Sequence, residues 1–215
     1  MRPAVALFAA VLGLLPLAGA AAPVLTPPDA GIDGLMQAYD GQVPGAAVLV
    51  LHDGQAVFRR GYGLAVLEDS TAVTPASNFR LASVSKQFTA AAVLLLVEDG
   101  RLGLDQTARH WLPELPPAAA AITLRQLLSH TSGLLDYEDL MDPADSRQVH
   151  DADVLALLSR QDRLNFAPGT QYRYSNSGYA LLALIVGRAS GQDFATFLQQ
   201  RIFVPLGMVH TVAHQ

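Results

Sequence analysis

Phe79-Arg80-Leu81-Ala82-Ser83-Val84-Ser85-Lys86, with the apolar turns Phe88 to Val97 behind it, is the stretch on which the reading of this chain depends. A helix is predicted over Ser83 to Asp99, and its turns from Phe88 through Val97 are apolar on nearly every face, which predicts that it is buried. Ser83 falls where an N-cap would sit, and Lys86 follows three residues later. Their side chains are therefore expected on adjacent turns of one face. Two readings fit this spacing: Ser83 caps the helix and Lys86 decorates its first turn, or a hydroxyl and an amine are held together for chemistry.

Composition favours the second. The 215 residues carry 14 basic side chains, and all of them are arginine except Lys86. Arginine does not release its proton at usable pH, whereas a buried lysine is pushed toward neutrality. Burial and the positive end of a helix dipole would both act on Lys86 in that direction. A neutral amine beside Ser83 would be a general base beside a nucleophile.

Upstream, Met1-Arg2-Pro3 precedes an apolar run from Ala4 to Ala18 and the small residues Gly19 to Ala22. This predicts a secretory signal peptide over residues 1–20, cleaved after Ala20 or Ala22, because the run is shorter than the roughly 20 apolar residues of a spanning helix. The Pro-rich segment to Ala30 reads as a tether, with one domain over 31–215. Ile32, Leu35, Met36 and Tyr39 recur at helical spacing. Ala46–Leu51 and Gln55–Tyr62 flank the turn signal Asp53-Gly54, which predicts an antiparallel hairpin. A loop follows through Thr74-Pro75. Beyond Ser83–Asp99, helices are predicted over Thr123–Ser129, Ala152–Ser159, Gly178–Ala189 and Asp193–Ile202.

The formal charge of −5, with no basic run, argues against a nucleic-acid partner, and the absence of cysteine excludes disulfides and lipoprotein processing. The acidic stretch Asp136 to Asp153 lacks the spacing of a calcium loop and reads as a solvated surface loop. No histidine is paired with Glu at metal-ligand spacing, so no metal site is expected. Near the C-terminal third, Tyr174-Ser175-Asn176 precedes an apolar helix, and by position alone Asn176 and Ser177 read as caps.

Taken together, these phrases resemble a known family. Ser83-Val84-Ser85-Lys86 is similar to the Ser-x-x-Lys motif, and Tyr174-Ser175-Asn176 to the Tyr-x-Asn motif, of the serine β-lactamases and penicillin-binding proteins. The likeness is to the class C β-lactamase, D-alanyl-D-alanine carboxypeptidase and esterase branch. Leu127-Leu128-Ser129-His130-Thr131-Ser132-Gly133-Leu134 and Pro205-Leu206-Gly207-Met208 resemble two further family phrases, in the same order. The resemblance implies that Ser83 attacks an acyl carbon while Lys86 takes its proton. It further implies that Tyr174 is a second base or proton relay, and that Asn176 bonds Lys86 and the substrate amide. His130 lies in what resembles a structural turn, and no Gly-x-Ser-x-Gly elbow exists for a triad.

The resemblance also implies a third motif, Lys-Thr-Gly or His-x-Gly, on a strand that supplies one oxyanion-hole donor. Neither occurs C-terminal to Tyr174-Ser175-Asn176, the one His-x-Gly of the chain, His52-Asp53-Gly54, lying in the N-terminal hairpin turn, which leads us to expect a C-terminally incomplete fragment with only a partial sheet and with exposed strand edges. The expected fold is α/β plus all-α, β-lactamase/transpeptidase-like, with a helical region on a partial antiparallel sheet. The expected function is serine hydrolysis through an acyl-serine, on a β-lactam, a D-amino-acid peptide of the peptidoglycan type or a small ester. No metal or organic cofactor is expected. The location is exported, periplasmic or secreted, without a stable membrane span. The alternative is a non-catalytic penicillin- or peptidoglycan-binding module, or an inactive truncated paralogue.

Overall fold

A computed structural model describes residues 29–142, 144 and 146–213. The signal peptide and most of the tether lie outside the described residues. Helix α1 (Asp29–Met36) already begins within the last two residues of the segment read as tether, and a 3-10 turn, Gln37–Tyr39, continues it. The chain divides after Ser77 into two units.

In the first unit, β1 (Ala46–His52) pairs antiparallel with β2 (Gln55–Tyr62). The connection is Asp53-Gly54, both at positive φ (49° and 75°). This is the two-residue geometry that matches strand twist and that Asp-Gly sequences favour. The register slips between Val50 and Leu51, which leaves Val57 as the extra residue of a bulge. A second, smaller hairpin pairs β3 (Leu64–Val66) with β4 (Thr71–Ala72) and was not anticipated from the sequence, which reads there as loop. Asp33 of α1 holds this unit to itself by accepting from Arg60 Nη1 and, at 2.6 Å, from the Tyr62 hydroxyl. Each hairpin is a sheet of two strands only.

The second unit is helical. It comprises α2 (Lys86–Glu98), α3 (Ala108–Trp111), α4 (Leu124–Leu128), α5 (Asp151–Leu158), α6 (Asn176–Ser190) and α7 (Phe194–Leu198), the last continued by a π-helical turn, Gln199–Phe203. α6 is the central element. It buries Leu181, Leu182, Ile185 and Val186 fully, packing them against α2, α4 and α5. Leu96, Leu112, Ile122, Leu124, Leu158 and Phe197 complete this core. At about 25 cal/mol per Å² of apolar surface removed from water, such a cluster is the main source of the unit's stability.

Local signals explain the helix ends. Thr123 Oγ1 accepts from Gln126 N while Gln126 Oε1 accepts from Thr123 N, a reciprocal capping box that starts α4. Gly191, at φ 71°, ends α6 in the left-handed conformation that glycine adopts without a Cβ penalty. α2 differs from expectation in two ways. It is not buried all round, since Leu94 remains 52% exposed. Nor does it begin at Ser83: Ala82–Ser85 form a 3-10 turn and the α-helix starts at Lys86, so Ser83 is not an N-cap.

Candidate active site

The 3-10 turn settles where the Ser83 side chain points. Ala82, just before it, has φ 45°, a left-handed conformation unusual for a residue with a Cβ. Ser83 lies inside the turn rather than at its cap, and its hydroxyl is turned to other partners. It meets two: Ser83 Oγ lies 2.6 Å from the Tyr174 hydroxyl and accepts from Lys86 Nζ at 3.1 Å. Lys86 Nζ also donates to Asn176 Oδ1 at 2.6 Å, so one ammonium nitrogen bridges the first and last members of the group. The same nitrogen lies 4.9 Å from the Tyr174 ring centroid and 5.6 Å from that of Tyr179. All four residues singled out in the sequence, Ser83, Lys86, Tyr174 and Asn176, are therefore within one hydrogen-bonded cluster.

Asn176 is not a helix cap either. It is the first residue of α6, behind Ser175, and the cap position makes no side-chain bond. Its backbone N–H donates to Asp136 Oδ2 at 2.6 Å and its side-chain Nδ2 to Glu138 Oε1 at 2.9 Å. With the amide nitrogen committed to Glu138, the amide oxygen is left facing Lys86. Ser177, fully buried, accepts from Tyr137 N at 2.8 Å and fastens the same loop to the start of α6. Asp136 and Glu138 belong to the stretch read from sequence as a solvated loop without chemistry. Most of its described acidic residues are exposed, as that reading expects, but Asp136 and Glu138 also bond Asn176, which it did not foresee. The only advance signal was their place directly after the Leu127-to-Leu134 phrase.

The electrostatics follow from these contacts. Lys86 first, and Ser83 second, hold the Tyr174 phenol below its ordinary 10.0, because both favour the phenolate. Burial, and then the charge of Lys86, hold the His130 imidazole below its ordinary 6.5. A hydroxyl held against an acidified phenol has a neighbour able to accept its proton, and Lys86 stands beside both. His130 contacts Tyr174 and the Ser175 backbone but makes no hydrogen bond to Ser83, so these groups form no Ser-His pair. His210 and His214 are four apart in sequence, but only His210 is described. Among the described residues no group of three or more His, Asp or Glu side chains is placed to hold a metal ion. Among them also no helix is long and apolar enough to cross a membrane.

Over residues 29–215 the sequence matches the family described as Beta-lactamase. The chain belongs to the Beta-lactamase family. Among its relatives in that family is Penicillin-binding protein 4* of Bacillus subtilis (strain 168), 37% identical over 167 residues, a match covering 76% of this chain and 37% of the relative. The D-amino acid amidase of Ochrobactrum anthropi SV3, solved with L-phenylalanine amide, superposes with a TM-score of 0.71 at 31% identity, over 84% of this chain and 52% of the amidase. The D-alanine carboxypeptidase AmpC of Burkholderia cenocepacia does so with a TM-score of 0.66 at 34% identity, over 83% of this chain and 47% of the other. The fold is thus that of the β-lactamases and penicillin-binding proteins, with its helices and small antiparallel sheets. The chain spans little more than a third of the length of the curated relative and about half that of the two solved enzymes.

Proposed function

We propose that this chain carries the nucleophile and proton-transfer groups of an exported serine acyl hydrolase. The observation that carries the reading is the convergence of Tyr174 Oη and Lys86 Nζ on Ser83 Oγ, at 2.6 and 3.1 Å. Ser83 Oγ attacks the acyl carbon of the substrate and its proton passes to the shared Tyr174–Lys86 pair. The bond from the acyl carbon to the leaving nitrogen or oxygen then breaks, and the leaving group takes that proton. Water, deprotonated by the same pair, next attacks the acyl-serine ester and returns Ser83 to its hydroxyl form. Asn176 holds Lys86 and offers its amide to the substrate.

The substrate class is a carboxylic acyl compound: a β-lactam, a D-amino-acid peptide or amide, or a small ester. Membership of the family and the likeness to an amidase, a carboxypeptidase and a penicillin-binding protein support it. Labelling the full-length protein with a fluorescent penicillin and with a fluorophosphonate tests the reading. Covalent label on the wild type and none on Ser83→Ala is the expected result. Equal labelling of the two, or no label on either, would sink it. A label that forms and never turns over would instead identify a penicillin-binding module.

A further inference from the structure

His130 belongs to none of the roles above, yet it meets Arg173, Tyr174 and Ser175 in succession. Its backbone is at φ 58°, in the left-handed region, and so carries strain for a residue that is not glycine. From that position it holds the segment twice. His130 O accepts from Arg173 N at 3.0 Å, and His130 Nδ1 accepts from Ser175 N at 3.2 Å. The residue between these two donors is Tyr174, and the imidazole lies tilted against its ring, with centroids 4.6 Å apart and planes at 32°. Tyr179 packs at 5.2 Å and Tyr172 edge-on at 6.0 Å, so phenol rings surround the imidazole.

We infer that His130, with Nδ1 unprotonated, is a positioning residue that sets Tyr174 against Ser83 and Asn176 against Lys86. The inference rests on the acyl-serine reading for its kinetic consequence, but not for its structural content. A backbone N–H has only a proton to offer, so the ring nitrogen facing Ser175 must offer a lone pair. That fixes the tautomer: the proton sits on Nε2. Protonating Nδ1 would set a donor against a donor, break one of the two holds on the Arg173–Ser175 segment, and place a second positive charge near Lys86. The charged and titratable groups facing the ring are Lys86, which opposes protonation, Asp136, which favours it, and the three phenols. Burial first, and the charge of Lys86 second, outweigh Asp136, so the neutral ring persists below the ordinary 6.5.

Two measurements on the full-length protein test this. In ¹⁵N NMR of the histidine rings, His130 is expected to show a bare Nδ1 and a protonated Nε2 at neutral pH. A protonated Nδ1 there overturns the inference. In acylation by fluorescent penicillin, His130→Phe keeps the ring stack but loses the acceptor and is expected to slow labelling by about 10- to 100-fold, the scale of a reacting group set slightly out of place. His130→Asn restores an acceptor oxygen on a residue that tolerates the left-handed region. It is expected to recover most of the rate and to abolish the fall in rate that protonation of His130 should give the wild type below pH 6.5. Labelling of His130→Phe at the wild-type rate, or an unchanged acid limb in His130→Asn, would overturn the inference. Should His130→Phe not fold, the tautomer and the His130→Asn profile decide. If the wild type is not acylated, the acyl-serine reading fails, and the tautomer alone tests His130.

Discussion

Glu138 Oε1 accepts a hydrogen bond from Asn176 Nδ2 at 2.9 Å, on the opposite side of the amide from the oxygen that receives Lys86 Nζ. An amide can turn over and exchange its two ends, and in the wrong orientation Asn176 would present a donor to the lysine. Glu138 supplies the preference. Glu138→Ala is expected to slow acylation by about 10-fold, the low end of what mispositioning a reacting group costs. Glu138→Gln, which keeps an acceptor oxygen, should lose much less. Stopped-flow acylation by a chromogenic β-lactam measures both.

The proton-accepting pair predicts a pH signature. The Tyr174 phenol is held below 10.0 by Lys86 and then Ser83, so the rate of acylation should climb on the alkaline side with a midpoint below 10.0. Tyr174→Phe removes the phenol and should lose that limb together with about 10²- to 10⁴-fold in rate, the usual contribution of acid–base catalysis. Lys86→Arg keeps the charge but not the ability to give up a proton, and it should fall in the same range. A pH–rate profile of the two variants beside the wild type reads this directly.

Asp151, the first residue of α5, has its carboxyl pushed up to about 6 by burial, partly opposed by His150. The unfolded carboxyl ionises near 3.8, so the unfolded chain loses its proton first and rising pH favours unfolding between 3.8 and about 6. Above that window the full cost of a buried charge stands, at most ~3 kcal/mol. Asp151→Asn should therefore be the more stable protein on the alkaline side of 6, and the difference should fade as pH falls toward 3.8. Urea midpoints across that range measure it.

Ala82 stands at φ 45° directly before the nucleophile. Ala82→Val places a β-branched side chain in a left-handed turn and should destabilise by about 1–2 kcal/mol while shifting Ser83 away from Tyr174. Ala82→Gly removes the Cβ penalty and should leave stability within ~1 kcal/mol of the wild type, relief of strain being offset by a freer unfolded chain. Denaturant unfolding and the labelling rate together separate the two effects.

The β1–β2 hairpin was legible because its signals are local: two extended runs and an Asp-Gly turn between them. The helices were legible for a related reason, since apolar spacing over 8 to 15 residues, as in α5 and α6, reports its own periodicity. α3, with 4 residues, and the strand pair Leu64–Val66 with Thr71–Ala72 are too short to show a period, and no reading of the sequence found them. The pairing of Ser83 with Lys86 could be argued from composition, whereas the turn that presents Ser83 was taken for an α-helix start, because 3-10 and α geometry share the same residue preferences. Asp136 and Glu138 were missed because their partner is 40 and 38 residues away, a distance at which residue type carries no information about contact.

The half-buried Lys86 side chain, held between Ser83 and Asn176, bears the one ε-amine in these 215 residues. Amine-directed reagents therefore have no neutral surface lysine to spend themselves on. Reductive methylation or carbamylation would modify, besides the α-amine of the N-terminus, one side-chain nitrogen, and so report on whether the site is open. Coupling the protein to a support through lysine would, by the same token, tether it at its reactive centre.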